Sequence, residues 1–248
     1  MKRQYNLKLT RLPDENLRFA PMAAIISKLP KSIDLRKRMP PVYDQGSLGS
    51  CTAMVFVASI QFLDPTFFGS RLFLYYNTRA IQDSVNIDSG ATLADCIDTL
   101  EQNGVCSESI WPYIINKFKN RPPPLCYKNA LLHKVLSASN IKGNASSIKQ
   151  SLVNNHPVAC GIAVFSSFES KSVTNTGIVP MPKSGEQLLG GHAVLIVGYD
   201  DSKQWWIVRN CWGPKWGAKG YFFLPYAYLA NRNYCTELWN INNITKDV

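Results

Sequence analysis

The chain has 248 residues, 46% hydrophobic and 18% charged, enough to bury a sizeable core as one compact unit or two small lobes. Lysine and arginine outnumber aspartate and glutamate by 27 to 17, a formal charge of +10, which favours acidic partners without naming a chemistry. No zinc-finger spacing, Walker-type glycine loop or arginine/aromatic pattern accompanies that charge, so no specific nucleic acid is expected, and no apolar stretch reaches the roughly eighteen residues a membrane span needs.

Residues 1–28 have mixed polarity and a basic start but no secretory apolar run, so a cytoplasmic location is expected. They read as an extension outside the main core. It is either a terminal tail or a segment lying over a functional groove, with Leu17, Phe19, Met22, Ile25 and Ile26 as its apolar residues. From Leu29 to Gly49 the chain is rich in turn formers, with Pro30, Pro40, Pro41 and Gly46. The run from Ser50 to Pro65 predicts a buried helix capped by Ser50 and stopped at Asp64-Pro65, which places Cys51 in its first turn.

Further helices are expected over Arg71–Gln82 and Leu93–Asn103, the second with Thr92 and Asp95 at its start and Gly104 at its end. Pro122, Pro123 and Pro124 predict an extended segment, and Ser147 to Gln150 reads as a capping box opening a short helix. Beyond it the pattern changes to strands: Pro157–Phe165, His192–Asp200 and Gln204–Asn210, with a polar turn at Asp200–Lys203, then Gly220–Pro225 and Cys235–Ile241. Helices first and strands second predict an α+β chain of two lobes with a boundary near 125–140.

The seven cysteines form an odd set without a C-x-x-C pair, so neither a thioredoxin-type couple nor a compact zinc site is suggested. Cys106 and Cys126 flank the proline-rich segment, and their pairing stays open. A thiol in the first turn of a helix meets orphan amides that favour its anion, although a cysteine in an apolar run also suits plain packing. Of three histidines, His133 and His156 fit structural or surface roles, whereas His192 opens an apolar strand after Gly190-Gly191. There it could hold a thiolate as an ion pair and protonate a leaving amine. Asn210 could orient such an imidazole, and Gln45 could direct its amide at a developing oxyanion beside the Cys51 backbone amide.

Taken together, these residues carry a resemblance. The segments DQGSLGSCTA at 44–53, GHAVLIVGYD at 191–200 and RNCWGPKWGAKGYF at 209–222 are similar to the cysteine, histidine and asparagine segments of the papain-like cysteine peptidases. LPKSIDLRKRMPPVYDQG, at 29–46, resembles the start of their mature domain. The order of an early cysteine, a histidine about 130 to 150 residues on and a later asparagine agrees, and the similarity extends from about Leu29 to Ile241.

The resemblance implies a papain-like fold, with a mainly helical lobe (about 45–130), a strand-rich, β-barrel-like lobe (about 131–248) and a cleft between them. Residues 1–28 would be an extension and 29–248 the peptidase domain. It implies a cysteine endopeptidase with polypeptide substrates and no cofactor or metal, in which Cys51 is the nucleophile, His192 the base and then acid, Asn210 its orienter and Gln45 an oxyanion donor. Gly90, Ala193, Trp212 and Trp216 would line the substrate site, with Trp212 shielding the His192–Asn210 bond, and residues 1–28 would make an autoinhibitory contact. An inactive peptide-binding domain on the same scaffold is the alternative.

The chain also departs from the family. Leu48 stands where many relatives have a disulfide cysteine, Thr52 replaces a tryptophan, and Asp88-Ser89-Gly90-Ala91 is the nearest counterpart of a Cys-x-Gly-Gly substrate loop. Such losses look like those of short cathepsin B-like proteins of large DNA viruses and some microbes, which adds virion association to the expected locations. No histidine pair offers the occluding loop that dipeptide removal requires, hence the endopeptidase reading.

Overall fold

The run after Ser50 folds as helix α1 (Cys51–Leu63) in the computed structural model, which describes residues 3–8 and 29–245. Almost every side chain of α1 is buried, as expected of a helix apolar on all sides. It packs against helices α2 (Arg71–Ile81) and α3 (Leu93–Gln102) and against the central strand of a sheet. Ser50 occupies the N-cap without capping, since its hydroxyl meets the Tyr113 hydroxyl at 2.6 Å instead. The amides of the first turn are therefore left for other acceptors. Helices α2 and α3 each end one residue before the expected limit, and Thr92 caps α3 through the Asp95 amide as anticipated.

Besides the Ser50 cap, two further expectations need correction. Only Pro122 and Pro123 belong to the extended run, because Pro124 is the first residue of helix α4 (Pro124–Ala130), where a missing N–H costs nothing and the fixed φ suits the helix. Helix α5 (Ala145–Val153) is capped by Asn144, whose side chain accepts from the Ser147 amide at 2.8 Å. Ser147 thus lies inside the helix and does not open it.

The strands form one antiparallel sheet in the order β2 (Val135–Asn140), β7 (Cys235–Ile244), β3 (Val158–Phe165), β4 (Leu188–Asp200), β5 (Trp205–Arg209), β6 (Tyr221–Pro225). Strand β1 (Ser32–Asp34) pairs with β4, so residues 32–34 lie against the sheet before the chain enters its helical part. Short helices α6 (Lys171–Thr176) and α7 (Tyr226–Ala230) join strands. Strand β4 lies between β3 and β5 and is buried from Gly191 to Tyr199, which explains its unbroken apolar sequence. Residues from both parts meet where the start of α1 approaches β4: Cys51 Sγ lies 3.5 Å from the Ala193 amide.

All seven cysteines are unbridged and buried, Cys106 and Cys126 included. Among the described residues, no helix is long and apolar enough to cross a membrane and no cluster of acidic, cysteine and histidine side chains could hold a metal.

Candidate active site

Cys51 is the first residue of α1 and has no solvent exposure. Burial pushes its thiol up to about 11. The backbone amides of Ala193, Thr52 and Cys51 itself oppose that rise, and the Asp88 charge adds to it. The helix start thus supplies the donors a thiolate needs, while the enclosure keeps the sulfur protonated.

His192 sits on β4, opposite Ile162 of β3. Its Nε2 donates to Asn210 Oδ1 at 2.9 Å, and Nδ1 has no partner among the described residues. Asn210 follows β5 and is fixed by its own amide, which donates to Gly220 O at 3.0 Å, and by Oδ1, which also accepts from the Cys211 amide at 2.8 Å. The expected His192–Asn210 bond is therefore present, and Nδ1 is the ring nitrogen it leaves uncommitted. Trp212 stacks on the imidazole at 4.8 Å between centroids and so covers one face of the ring that makes the His192–Asn210 bond. Trp216, expected as a cleft wall, packs edge-on behind Trp212 and stacks on Phe168. Burial lowers His192 to about 4, with the Asn210 bond opposing and the Arg3 charge assisting.

Gln45 lies in the turn before α1 and is buried. Its Nε2 donates to Leu48 O at 2.8 Å, leaving the second amide hydrogen unassigned. Its Oε1 accepts from the Cys211 thiol at 2.8 Å, and its backbone amide donates to Cys211 O at 3.0 Å. The Leu48 carbonyl, which can only accept, thus fixes which end of the Gln45 amide presents N–H, and the Cys211 thiol holds the other end while the Cys211 amide reaches Asn210 Oδ1. In the sequence nothing marks Cys211 beyond its place after Asn210.

The approach to these groups is filled by residues 3–8. Arg3 lies over the Trp212 ring at 4.0 Å, and Tyr5 stands edge-on to both Trp212 and His192 while its hydroxyl donates to Glu169. Asn6 bridges Gly191 in parallel fashion. The Leu7 amide donates to Gly191 O and the Lys8 amide to Ala91 O, each at 3.2 Å. Asn6 Nδ2 donates to Asp88 O at 2.8 Å. Leu17, Phe19, Met22, Ile25 and Ile26, the apolar residues singled out in the sequence, lie outside the described residues; Tyr5 and Leu7 are the ones that enter the site. Their alternation with Asn6 and Lys8 is a strand-like signal in QYNLKL.

Two glycines make room for this segment. Gly90 has φ +69°, and a Cβ there would stand 1.6 Å from Asn6 O, so the backbone approach expected at Gly90 is made by the chain itself. A Cβ at Gly161 would come within 2.9 Å of Leu7 Cδ2 and 2.4 Å of Thr236 Oγ1. Gly161 pairs with Ala193 across β3 and β4. The pocket taken by buried Leu7 therefore borders Gly161 and Thr236, next to the strand position of Ala193, which was expected there.

Known proteins resemble this chain over most of its length. The family model described as papain family cysteine protease matches residues 29–236. An uncharacterised peptidase C1-like protein of Acanthamoeba polyphaga mimivirus is 41% identical over 219 residues, covering 83% of this chain and 70% of the relative. Oryzain beta chain of Oryza sativa is 28% identical over 79% of this chain, which spans only 42% of that relative's length. The crystal structure of xylellain, a cysteine protease from Xylella fastidiosa, superposes with a TM-score of 0.85 at 35% identity, covering 98% of both chains.

Proposed function

Because the chain belongs to the papain family of cysteine proteases, we propose that it is an endopeptidase acting on polypeptides through Cys51 and His192. The observation that carries this reading is the junction of α1 with β4. It places a thiol at a helix start beside Ala193, with His192 held by Asn210 and Gln45 held by Cys211.

In the proposed reaction a proton passes from Cys51 Sγ to His192 Nδ1, and the thiolate attacks the substrate carbonyl. The oxyanion is received by the Cys51 amide and the second Gln45 Nε2 hydrogen. His192 gives its proton to the leaving nitrogen as the carbon–nitrogen bond breaks. It then takes a proton from water as the hydroxyl bonds to the acyl carbon, and returns that proton to sulfur as the carbon–sulfur bond breaks, which releases the acid and restores the thiol. Incubating the full chain with an unfolded protein and mapping fragment masses tests the reading. Internal cleavages abolished by Cys51→Ala are expected. Intact protein with no thiol-dependent fragments would favour a peptide-binding domain, and release of terminal dipeptides alone would overturn the endopeptidase assignment.

We further propose that residues 1–28 regulate residues 29–248 by covering the cleft. A productive peptide keeps its acyl half over Gln45 and the Cys51 amide and its leaving amine, hence its C-terminal half, toward His192. The segment 3–8 runs the other way: Arg3 and Tyr5 lie by Trp212 and His192, while Leu7 and Lys8 lie by Gly161 and Ala91. Reversed polarity removes its peptide bonds from the attack geometry, so it supports a role as cover and not as substrate.

Covering also makes the cleft sensitive to acid. Residues 3–8 add to the burial, and Arg3 adds its charge, the influences that hold His192 down to about 4, so uncovering moves it toward the roughly 6.5 of an imidazole open to water. The uncovered state therefore takes up the proton first. As pH falls from about 6.5 toward 4, the equilibrium shifts toward uncovering by up to about tenfold per unit. Arg3, Tyr5, Cys51, Cys211 and Glu169 face this ring or its neighbours. Hydrogen exchange at the Leu7 and Lys8 amides, corrected for intrinsic rate, should lose about tenfold protection between pH 6 and pH 5, also in Glu169→Gln. Constant protection would contradict it.

A further inference from the structure

We propose that Asp88 is a positioning residue for the nucleophile, its carboxylate tying the loop that presents Cys51 to the loop that receives substrate backbone. This rests on the reading of Cys51 as the nucleophile.

Asp88 Oδ2 and Oδ1 accept from the Gly49 amide at 2.9 and 3.1 Å, two residues before Cys51. The Tyr75 hydroxyl donates to Asp88 Oδ1 and itself accepts from the Gly90 amide at 3.1 Å. A continuous path thus runs from Gly49 through Asp88 and Tyr75 to Gly90. Neither Leu48 nor residues 87–91 offer a thiol, so nothing covalent joins the two loops, and this path is what sets their spacing. Arg79 braces it from behind. Its guanidinium is buried, lies over the Tyr75 ring at 4.2 Å, and donates to Val85 O and Ile87 O at 2.8 Å each, holding the turn that leads to Asp88.

A negative charge so close to Cys51 opposes thiolate formation, since it raises the thiol further. For that charge the site gains an acceptor able to serve an amide and a hydroxyl at once, with charge-assisted strength. The amide geometry at Gly49–Ser50–Cys51 fixes where the Cys51 N–H, an oxyanion donor, points. Displacing such a donor lowers kcat more than it alters substrate affinity. Among the described residues, the other titratable or charged groups around Asp88 include Tyr75, Arg79, Tyr113 and Cys51.

The experiment compares the full chain with Asp88→Ala and Asp88→Asn. Peptide hydrolysis is followed as kcat and KM, and alkylation of Cys51 by iodoacetamide is followed against pH, located by peptide mass. Asp88→Ala is expected to lower kcat about tenfold to a hundredfold, with KM within about threefold. Asp88→Asn keeps an oxygen for the Gly49 amide and the Tyr75 hydroxyl, so it should restore kcat to within about threefold of the parent. Both should move the alkylation midpoint to lower pH, because a nearby negative charge that raises the thiol is gone.

Wild-type kcat in Asp88→Ala, an Asp88→Asn protein no better than Asp88→Ala, or an unmoved midpoint in folded Asp88→Asn would each overturn the inference. Should Asp88→Ala not fold, the activity of Asp88→Asn against the parent and its midpoint decide alone. A parent chain that hydrolyses peptides without Cys51 refutes the nucleophile itself; a normal parent with unaffected Asp88 variants refutes only the tie.

Discussion

Replacing Leu7 with aspartate in the full chain is expected to raise hydrolysis of a reporter peptide about a hundredfold. Leu7 is buried in a pocket bordered by Gly161 and Thr236, and its amide is bonded to Gly191 O. Burying a leucine side chain contributes about 1.5–3 kcal/mol, and placing a carboxylate in the same pocket without a partner costs more again. At about 1.4 kcal/mol per factor of ten, the covered state loses some two orders of magnitude to the uncovered one. Leu7→Met keeps the volume and the apolar character and should change turnover only a few-fold. Unchanged or reduced turnover in Leu7→Asp, in a chain that remains folded, would show that residues 3–8 do not hold the cleft closed.

The second large effect falls on the nucleophile pair. His192→Ala is expected to lower kcat/KM at least about a thousandfold, as is Cys51→Ala, and the double variant should be little worse than either single one because the two act as a unit. His192→Ala should also remove the low-pH limb of Cys51 alkylation, which an imidazolium partner would produce. A double variant whose loss is the product of the single losses would mean that the two side chains serve separate steps.

Much of this site was legible in the sequence. A helix start marks Cys51 because Ser50 and the apolar run define its first turn, and His192 and Asn210 are marked by glycine before an apolar strand and tryptophan after one. The unbroken apolar runs that place α1, β3, β4 and β5 come from burial, which composition reveals directly. Elements held together by other means were not visible. Strand β2 is half polar and gains its place by pairing with β7. Helix α6 is short and polar, set by the Ser170 cap. Helix α4 hides inside a proline run because Pro124 sits at its first position.

The same distinction applies within the site. Cys211 matters through one thiol contact to Gln45, and Asp88 through two amide contacts to Gly49. Such roles depend on distances across loops, which residue types do not report. Tyr5 and Leu7 carry little signal of their own, because a two-residue alternation so short has no meaning apart from the space that Gly90 and Gly161 open for it.

The most direct measurement is the intact mass of the full chain after reaction with an acyl-directed peptide electrophile, followed by location of the label. One equivalent on Cys51, absent from Cys51→Ala together with peptide hydrolysis, is the predicted result. Label on Cys211 or another of the buried thiols, or turnover retained in Cys51→Ala, would contradict the assignment of Cys51 as the nucleophile.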